Sequence, residues 1–267
     1  MAALPPACAD VASRAARSTA LAAYVLHHYD WSESSLILDL FTREQGRIAV
    51  AAKGAKRPFS QLRGVLLPFQ RLHVSLGRLP PGDDTREVHT LRGADWAGGH
   101  PMLTGNALFS GFYLNELLMK LLARHDPHAA LFDAYAGTVA ALGQGDDAAT
   151  QAALRAFELV LLREIGLLPD LGTETASHRP VRADRRYLVL ADAGVVETGD
   201  ENEATVSGAT LSALEMALRA DLTSLQQVAA GALTELRPLL RAQLHYHLGT
   251  SQLRTRQVMI EAQALDR

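Results

Sequence analysis

The hydrophobic pattern of this 267-residue chain changes its period close to Pro101, and this change constrains the fold more than any other feature. Before Pro101, short segments of strand length are rich in β-branched and aromatic residues and are separated by Gly, Pro and Asp. After it, apolar residues recur at helical spacing over longer segments. We therefore predict an α+β protein in which a domain of strands precedes a domain of helices.

The first pattern predicts a small barrel, because closure removes the exposed edges that a short sheet would otherwise have. The five strand-like segments are 20–29, 34–41, 47–52, 69–77 and 86–93. Residues 1–18 are rich in Ala and Arg and are expected to form a disordered tail. The barrel domain is therefore placed at residues 19–95, and its boundary falls within ADWAGGHP, residues 94–101, which has the composition of a linker.

The second pattern predicts a helical domain over residues 96–267. Its first helix follows Pro101 and is apolar on most sides. The next helix is expected to start at Asp126, whose side chain precedes a proline and is suited to cap the helix. A third helix is expected over about 147–165 and ends at a glycine.

A polar insertion interrupts the helices at about 172–206 and is predicted to contain a β-hairpin, RRYLVL followed by GVV. Helices are expected to resume at Ser207. Thr223 and Gln226 have the spacing of a capping box for the next helix, and Pro238 is expected to open a further one. The domain is thus predicted to be all-helical apart from this small hairpin.

Charge is distributed unevenly, although the whole chain carries only −3. Residues 43–78 hold eight Lys or Arg and a single acid, so this stretch carries +7 and the remainder −10. Residues 187–218 hold six acids and no Lys or Arg, and whether they cover the basic stretch is left open. Such a cationic stretch favours binding to nucleic acid. The alternative is a non-enzymatic adaptor whose basic barrel binds an acidic protein partner.

The densest part of the cationic stretch is AKGAKRPFSQLRG at 52–64, which its Gly, Pro and Ser place on a loop. The residues predicted to contact DNA backbone in this region are Arg47, Lys53, Lys56, Arg57, Arg63 and Arg71. Phe59 and Phe69 lie nearby and are candidates for stacking on unpaired bases. Phe69 is expected to be core instead, Phe59 is left open between the two, and a basic loop is also typical of an ordinary solvated surface.

The sequence predicts neither a catalytic site nor a metal site. It contains no GxxxxGK[ST] phosphate loop and no GxSxG nucleophile elbow. Cys8 is the single cysteine, so the chain has no second thiol for a disulfide or a thiolate metal site. No stretch has 18 uncharged apolar residues in a row, so no membrane span is expected. These features predict a cytoplasmic, non-enzymatic protein without a cofactor.

Six motifs along the chain are more specific than its composition. They are ESSLILDLFT (33–42), AKGAK (52–56), SGFYLNELLMKLL (110–122), LFDAYAGTVAAL (131–142), LRAFELVLLREIGLLPDL (154–171) and LGTSQLRTRQ (248–257). Together they resemble the RecO family of bacterial recombination mediators, and the likeness extends from Ala20 to Gln257. It implies an N-terminal OB-fold, a five-stranded barrel, followed by a helical domain.

The resemblance also implies a function and partners. It implies DNA repair and recombination through binding of single- and double-stranded DNA without sequence specificity, and annealing of complementary strands. It further implies that the protein helps to load recombinase, in the RecF pathway, onto strands coated with the single-strand-binding protein SSB. The implied partners are DNA, the C-terminal tail of SSB and RecR, with nucleoid association during repair.

The resemblance implies roles for residues in the helical domain as well. The acidic, Phe-ending tail of SSB needs a cation beside an apolar pocket, and a matching motif supplies Leu154, Arg155, Phe157 and Leu159. The alternative for Arg155 is a solvated position on an amphipathic helix. A second basic cluster is expected to extend the DNA track: Arg237, Arg241, Arg254 and Arg256. The alternative is that these arginines lie near helix C-termini, where the helix dipole stabilises cations without any ligand.

The segment after the PDL motif departs from the family pattern. Many members carry a four-cysteine zinc ribbon there, whereas LGTETASHRPVRADRR contains only His178 as a possible ligand. Bound zinc is therefore not expected.

Overall fold

Five strands close into a barrel in the N-terminal part of the chain. The structure is a computed structural model that describes residues 20–77, 88–99, 101–199, 204–249, 253–255 and 257–258. The strands are β1 (Leu21–Asp30), β2 (Leu36–Thr42), β3 (Gly46–Ala52), β4 (Leu72–Leu76) and β5 (Val88–Trp96), with a short helix α1 (Leu62–Val65) after β3. Their order is β1-β2-β3-β5-β4, and β4 pairs back to β1. This confirms the predicted barrel, while the predicted tail, 1–18, lies outside the described residues.

Strand β1 is apolar over most of its length because both of its faces are covered. Leu21, Ala23 and Val25 point into the barrel core, whereas Tyr24 and Leu26 belong to the core formed with the helices. Successive side chains of a strand point to opposite faces, so a strand covered on both sides needs apolar residues at every position. The last four residues of β1 are exposed while still paired with β2, so this hairpin extends past the covered region.

The helices that follow the barrel enclose the larger hydrophobic core. They are α2 (Gly105–Leu121), α3 (Ala129–Leu142), α4 (Asp147–Glu164), α5 (Gly208–Ala220), α6 (Leu222–Gly231) and α7 (Leu233–Leu248). Helix α4 contacts α2, α3, α6 and α7 and therefore lies in the middle. The predicted hairpin is confirmed as β6 (Arg186–Leu190) and β7 (Gly194–Thr198), and a third strand, β8 (Val206–Ser207), pairs with β6.

Two predicted helix caps are wrong. The Asp126 carboxylate lies 3.2 Å from the ring of His128 and caps no helix, so α3 begins only after His128. Helix α6 is capped by Asp221, whose Oδ1 accepts the N–H of Ser224 at 2.9 Å. Thr223 consequently lies inside the helix instead of at its start, because the nearer carboxylate already fills the capping position.

Pro238 lies within α7 and does not open it, which is a third correction. The helix begins at Leu233, so that Leu236 and Leu239 face the core and are almost completely buried. A proline at this depth removes one backbone hydrogen bond, whereas in the first turn it would remove none. Burial of the leucines favours the longer helix in spite of that loss. Gly249, with a φ of 63°, ends the helix.

Arg47 links the barrel to the helical domain through an ion pair within the barrel and hydrogen bonds to the end of a helix. Arg47 on β3 donates to both carboxylate oxygens of Asp39 on β2, at 2.8 and 2.9 Å. The same guanidinium donates to the carbonyls of Met119 and Leu122, which end α2. The side chains of Arg47 and Asp39 are only 13% and 2% exposed. Arg47 therefore satisfies a buried carboxylate and two carbonyls that a helix end leaves without partners.

The junction between the barrel and the helical domain is also supported by close backbone packing and by side-chain hydrogen bonds. Gly46 has a φ of 67°, and a Cβ at this position would lie 1.9 Å from the carbonyl oxygen of Asp126. The side chain of Asn115 on α2 donates to the Leu26 carbonyl at 2.9 Å and accepts the Tyr135 hydroxyl proton at 2.6 Å. The barrel is thus joined to the helices by satisfied polar groups as well as by apolar contact.

Replacing Arg47 by Met should destabilise the protein by about 3 kcal/mol, because the buried Asp39 carboxylate would lose its main partner. Urea unfolding measures this loss. The matched control is Arg43→Met, which breaks an exposed ion pair between the barrel and Asp133 on α3 at 2.9 Å. That variant should lose less than about 1 kcal/mol. Equal losses in the two variants would contradict the role assigned to Arg47.

Candidate functional site

The basic loop, residues 53–63, leaves β3 at the end of the barrel where β1 also finishes. Gly54, with a φ of 73°, begins a turn in which the Arg57 N–H bonds to the Gly54 carbonyl at 3.1 Å. Lys53, Arg57 and Phe59 are exposed and border a shallow recess. We call this end of the molecule the basic end. Backbone turns fix the conformation of the basic loop, so that the side chains of the loop project outward.

Lys56 differs from its neighbours because it is bound within the protein. Its Nζ lies 3.0 Å from a carboxylate oxygen of Asp30 and donates to the Ser32 carbonyl at 3.2 Å. Its backbone N–H also bonds to the Ser34 carbonyl at 3.0 Å. Lys56 therefore connects the basic loop to the β1–β2 turn, and its charge is partly neutralised before any ligand arrives.

The two phenylalanines near the loop have opposite environments. Phe69 is 4% exposed and packs edge-on against Phe112 at 5.1 Å between ring centres, which confirms the expectation that it is core. Phe59, which the sequence left open, is 99% exposed. Only Phe59 of this pair can present a ring to a ligand.

The other predicted DNA contacts in the barrel fall into two groups. Arg63 and Arg71 are exposed and take part in no ion pair among the described residues. The prediction that Arg47 contacts DNA must be corrected, because its guanidinium is buried at the domain junction and bonded to Asp39. It is not presented to a ligand. The periodicity of β3 did not reveal this, since the partners lie on another strand and at a helix end.

A cavity of about 420 Å³ lies in the helical domain between α2, α4, α7 and the segment 253–255. Its apolar wall comes from Phe109, Leu154, Leu244, Leu248 and Leu253, and its cations are Arg155, Arg237 and Arg241. Two of the residues predicted for tail binding do not reach it: Phe157 and Leu159 are fully buried in the core. They lie on the other face of α4, and leucines of α7, distant in sequence, take their place.

Arg155 is held by a buried carboxylate. Its Nη2 lies 2.8 Å from Oε1 of Glu158, which also accepts the Tyr113 hydroxyl proton at 2.7 Å. Burial raises the pKa of Glu158, while the Arg155 charge opposes that rise. Burial likewise raises the pKa of Tyr113. Arg155 thus lines the cavity as a partly compensated cation.

Arg237 and Arg241 are the cations of this cavity that have no acidic partner among the described residues. Both are exposed on α7, four residues apart, and neither forms an ion pair within the part of the chain that is described. The structure therefore places two residues of the predicted DNA track beside the predicted tail site. Arg256, from the same predicted cluster, lies outside the described residues.

Arg254 is fixed through its backbone. Glu116 on α2 accepts the N–H groups of Arg254 and Thr255, each at 2.9 Å, and the Thr255 hydroxyl proton at 2.7 Å. One carboxylate thereby holds the segment that closes the cavity. Burial raises the pKa of Glu116, but these hydrogen bonds outweigh that effect and hold the pKa below its ordinary value of 4.5.

Two carboxylates of the acidic stretch, residues 187–218, are paired inside the helical domain, whereas Asp200, Glu201 and Glu203 lie outside the described residues. Glu215 accepts from Arg163 at 2.6 Å and from Arg219 at 2.9 Å. Glu197 lies 3.6 Å from Arg185. These carboxylates neutralise arginines of their own domain, so their charge is not available to cover the basic loop.

Among the described residues, which include His178, no group of three or more His, Cys, Asp or Glu is arranged so that it could hold a metal ion. In the same parts of the chain, no helix is long and apolar enough to cross a membrane.

Replacing Glu116 by Gln should weaken the attachment of residues 253–255. A group whose pKa is lowered by folding stabilises the folded state above its unfolded pKa, and this contribution is lost as the pH falls through the folded pKa. The stability difference between wild type and variant should therefore be about 1 to 2 kcal/mol at pH 7 and shrink below pH 4.5. Chemical unfolding across this range measures it. Glu33→Gln, at an exposed glutamate, is the control, and a difference independent of pH would contradict the assignment.

Comparison with known proteins agrees with this architecture. Residues 17–97 match the family model "Recombination protein O N terminal", and residues 102–257 match "Recombination protein O C terminal". A DNA repair protein RecO of Variovorax paradoxus is 56% identical over 253 residues, covering 91% of this chain and 96% of the relative. One from Polaromonas naphthalenivorans is 52% identical over 245 residues with the same coverage. The chain therefore belongs to the RecO family of DNA repair proteins that act in recombination.

Proposed function

We propose that this protein binds single- and double-stranded DNA without sequence specificity and anneals complementary strands. It also helps to load recombinase onto SSB-coated single strands in the RecF pathway. The observation that carries the proposal is the set of exposed cations around the exposed ring of Phe59 at the basic end, which form no ion pair among the described residues. The protein acts in the cytoplasm and at the nucleoid during repair, without covalent chemistry, because strand annealing requires contact and positioning only.

Four cations provide the proposed DNA contacts: Lys53, Arg57, Arg63 and Arg71. All are exposed, and none is paired with an acid among the described residues. Phosphates repeat identically along any strand, so a cluster of cations attracts DNA regardless of its sequence. The DNA-binding unit is accordingly the barrel domain at 19–95, and the helical domain at 96–267 supplies protein contacts.

The triple variant Lys53→Ala, Arg57→Ala, Arg63→Ala should bind DNA more weakly and anneal SSB-coated complementary strands more slowly. Four neutralised phosphates predict that log affinity falls with log salt concentration with a slope near −2.8 on single strands. The variant removes three of the four cations, so its slope should be smaller in magnitude by about 2. Fluorescence anisotropy at several salt concentrations measures the slope. Arg182→Ala is the control, since Arg182 is exposed but paired with Asp184.

The salt dependence also tests the alternative of an acidic protein partner. If the protein is an adaptor of that kind, the DNA affinity of the wild type should show a salt slope near zero, or the wild type should not bind DNA even at low salt. Unchanged unfolding of the triple variant would show that the loss arises from contact, because exposed charges contribute little to stability.

The cavity of the helical domain is the proposed site for the acidic tail of SSB. An apolar wall suits a terminal aromatic ring, and Arg237 and Arg241 suit carboxylates, since neither is neutralised within the described chain. Arg155 contributes less than the sequence implied, because Glu158 already compensates its charge. RecR is proposed as a further partner, without an assigned surface.

The double variant Arg237→Ala, Arg241→Ala should bind an acidic peptide ending in Phe at least about tenfold more weakly, because charge-assisted hydrogen bonds are lost. Its DNA affinity should stay close to that of the wild type. Calorimetric titration measures the affinity for the free-acid peptide and for its C-terminal amide. The difference between the two gives the contribution of the terminal carboxylate. Arg182→Ala again serves as the control. Normal peptide binding by the double variant would remove the cavity from consideration.

A further inference from the structure

The β1–β2 turn carries an aromatic side chain that the sequence motifs did not single out. Trp31 is 57% exposed, and Tyr29, two residues earlier, is 45% exposed. The Tyr29 ring packs edge-on against His27 at 4.5 Å, whereas Trp31 has no ring partner in the described part of the chain. A single exposed aromatic residue needs no explanation, so its value as evidence depends on where it lies.

The fold brings Trp31 to the basic end. Strands β1 and β3 are both antiparallel to β2, so they finish at the same end of the barrel. The turn after β1 therefore lies beside the loop after β3. Lys56 joins the two, through the Ser32 carbonyl at 3.2 Å, Asp30 at 3.0 Å and the Ser34 carbonyl at 3.0 Å.

The turn is held in one conformation by its own backbone. The N–H groups of Trp31 and Ser32 both bond to the Ser35 carbonyl, at 3.2 and 3.3 Å, and Ser35 is buried. Together with Lys56, these bonds fix the chain on both sides of the indole. A ring presented from a fixed backbone binds with less loss of conformational entropy than a ring on a mobile loop.

We propose that Trp31 stacks on an unpaired base of a single DNA strand whose phosphates contact Lys53 and Arg57. Every base has a π-face, so such a contact adds affinity without sequence readout. Bases in a duplex are already stacked on their neighbours, so Trp31 favours single strands over duplexes. Lys56 acts as a positioning residue that holds the turn beside the cations. This inference rests on the proposed DNA binding and extends it to the chemical group recognised.

The experiment separates base contact from phosphate contact by comparing two strands of equal length. One is oligo-dT, and the other is an abasic strand with the same number of phosphates. Trp31→Ala should bind oligo-dT roughly 5- to 150-fold more weakly than wild type, which corresponds to one stacked base, and should bind the abasic strand equally well. Trp31→Phe, which keeps a ring, should recover most of the affinity.

Fluorescence gives an independent readout. The chain has two tryptophans, so Trp96→Phe leaves Trp31 as the single reporter. Oligo-dT should quench its emission and the abasic strand should not. Tyr246→Ala, at a 62% exposed aromatic on α7, is the matched control and should bind both strands as the wild type does.

Lys56→Ala tests the positioning role. Its affinity for oligo-dT should fall while the salt slope changes less than it does in Lys53→Ala, because Asp30 already partly neutralises the Lys56 charge. Lys53→Ala should reduce the slope by about 0.7. Equal losses of Trp31→Ala on both strands, or no quenching by oligo-dT, would overturn the inference while leaving DNA binding intact. Failure of the wild type to bind either strand at low salt would overturn the proposed function itself.

Discussion

The contact of Arg47 with Asp39 and with the end of α2 determines how the barrel is placed on the helices. Both side chains are nearly inaccessible, so the pair is stable only while the strand hairpin and the helix end stay together. The helices then cover the outer faces of β1 and β2, where Tyr24, Leu26 and Phe41 are buried. The described helices do not cover the basic end. Every proposed DNA contact lies there or on the strands beside it.

The cations of the +7 stretch illustrate how one residue type takes several roles. Arg47 is buried at the junction, Arg43 pairs with Asp133 across it, and Lys56 connects two loops. Lys53 and Arg57 remain exposed. Summed charge counts all of these cations alike, although only some of them are exposed to solvent. The same distinction holds in the cavity, where Glu158 partly compensates Arg155, whereas the exposed arginines of α7 have no acidic partner in the described part of the chain.

The division between the two sites has a physical basis. Phosphates repeat along a strand and are contacted by exposed cations on a surface, whereas a peptide end needs a cation beside an enclosed apolar wall. The barrel offers the first arrangement and the α2–α4–α7 cavity offers the second. Under the proposed function, the barrel would contact a DNA strand and the cavity would contact the protein that coats it, at separate places.

The sequence by itself determined the order of strands and helices, the closed barrel and the location of the basic loop. These follow from local properties, namely the period of apolar residues, turn-forming residues and charge along the chain. Some helix starts were misplaced because caps depend on which carboxylate is closest and on burial of residues such as Leu236. Only the tertiary structure decided which cations are free, that Phe157 and Leu159 are core, and that Trp31 stands beside the basic loop. Ion pairing and burial depend on residues distant in sequence, and neither period nor composition carries that information.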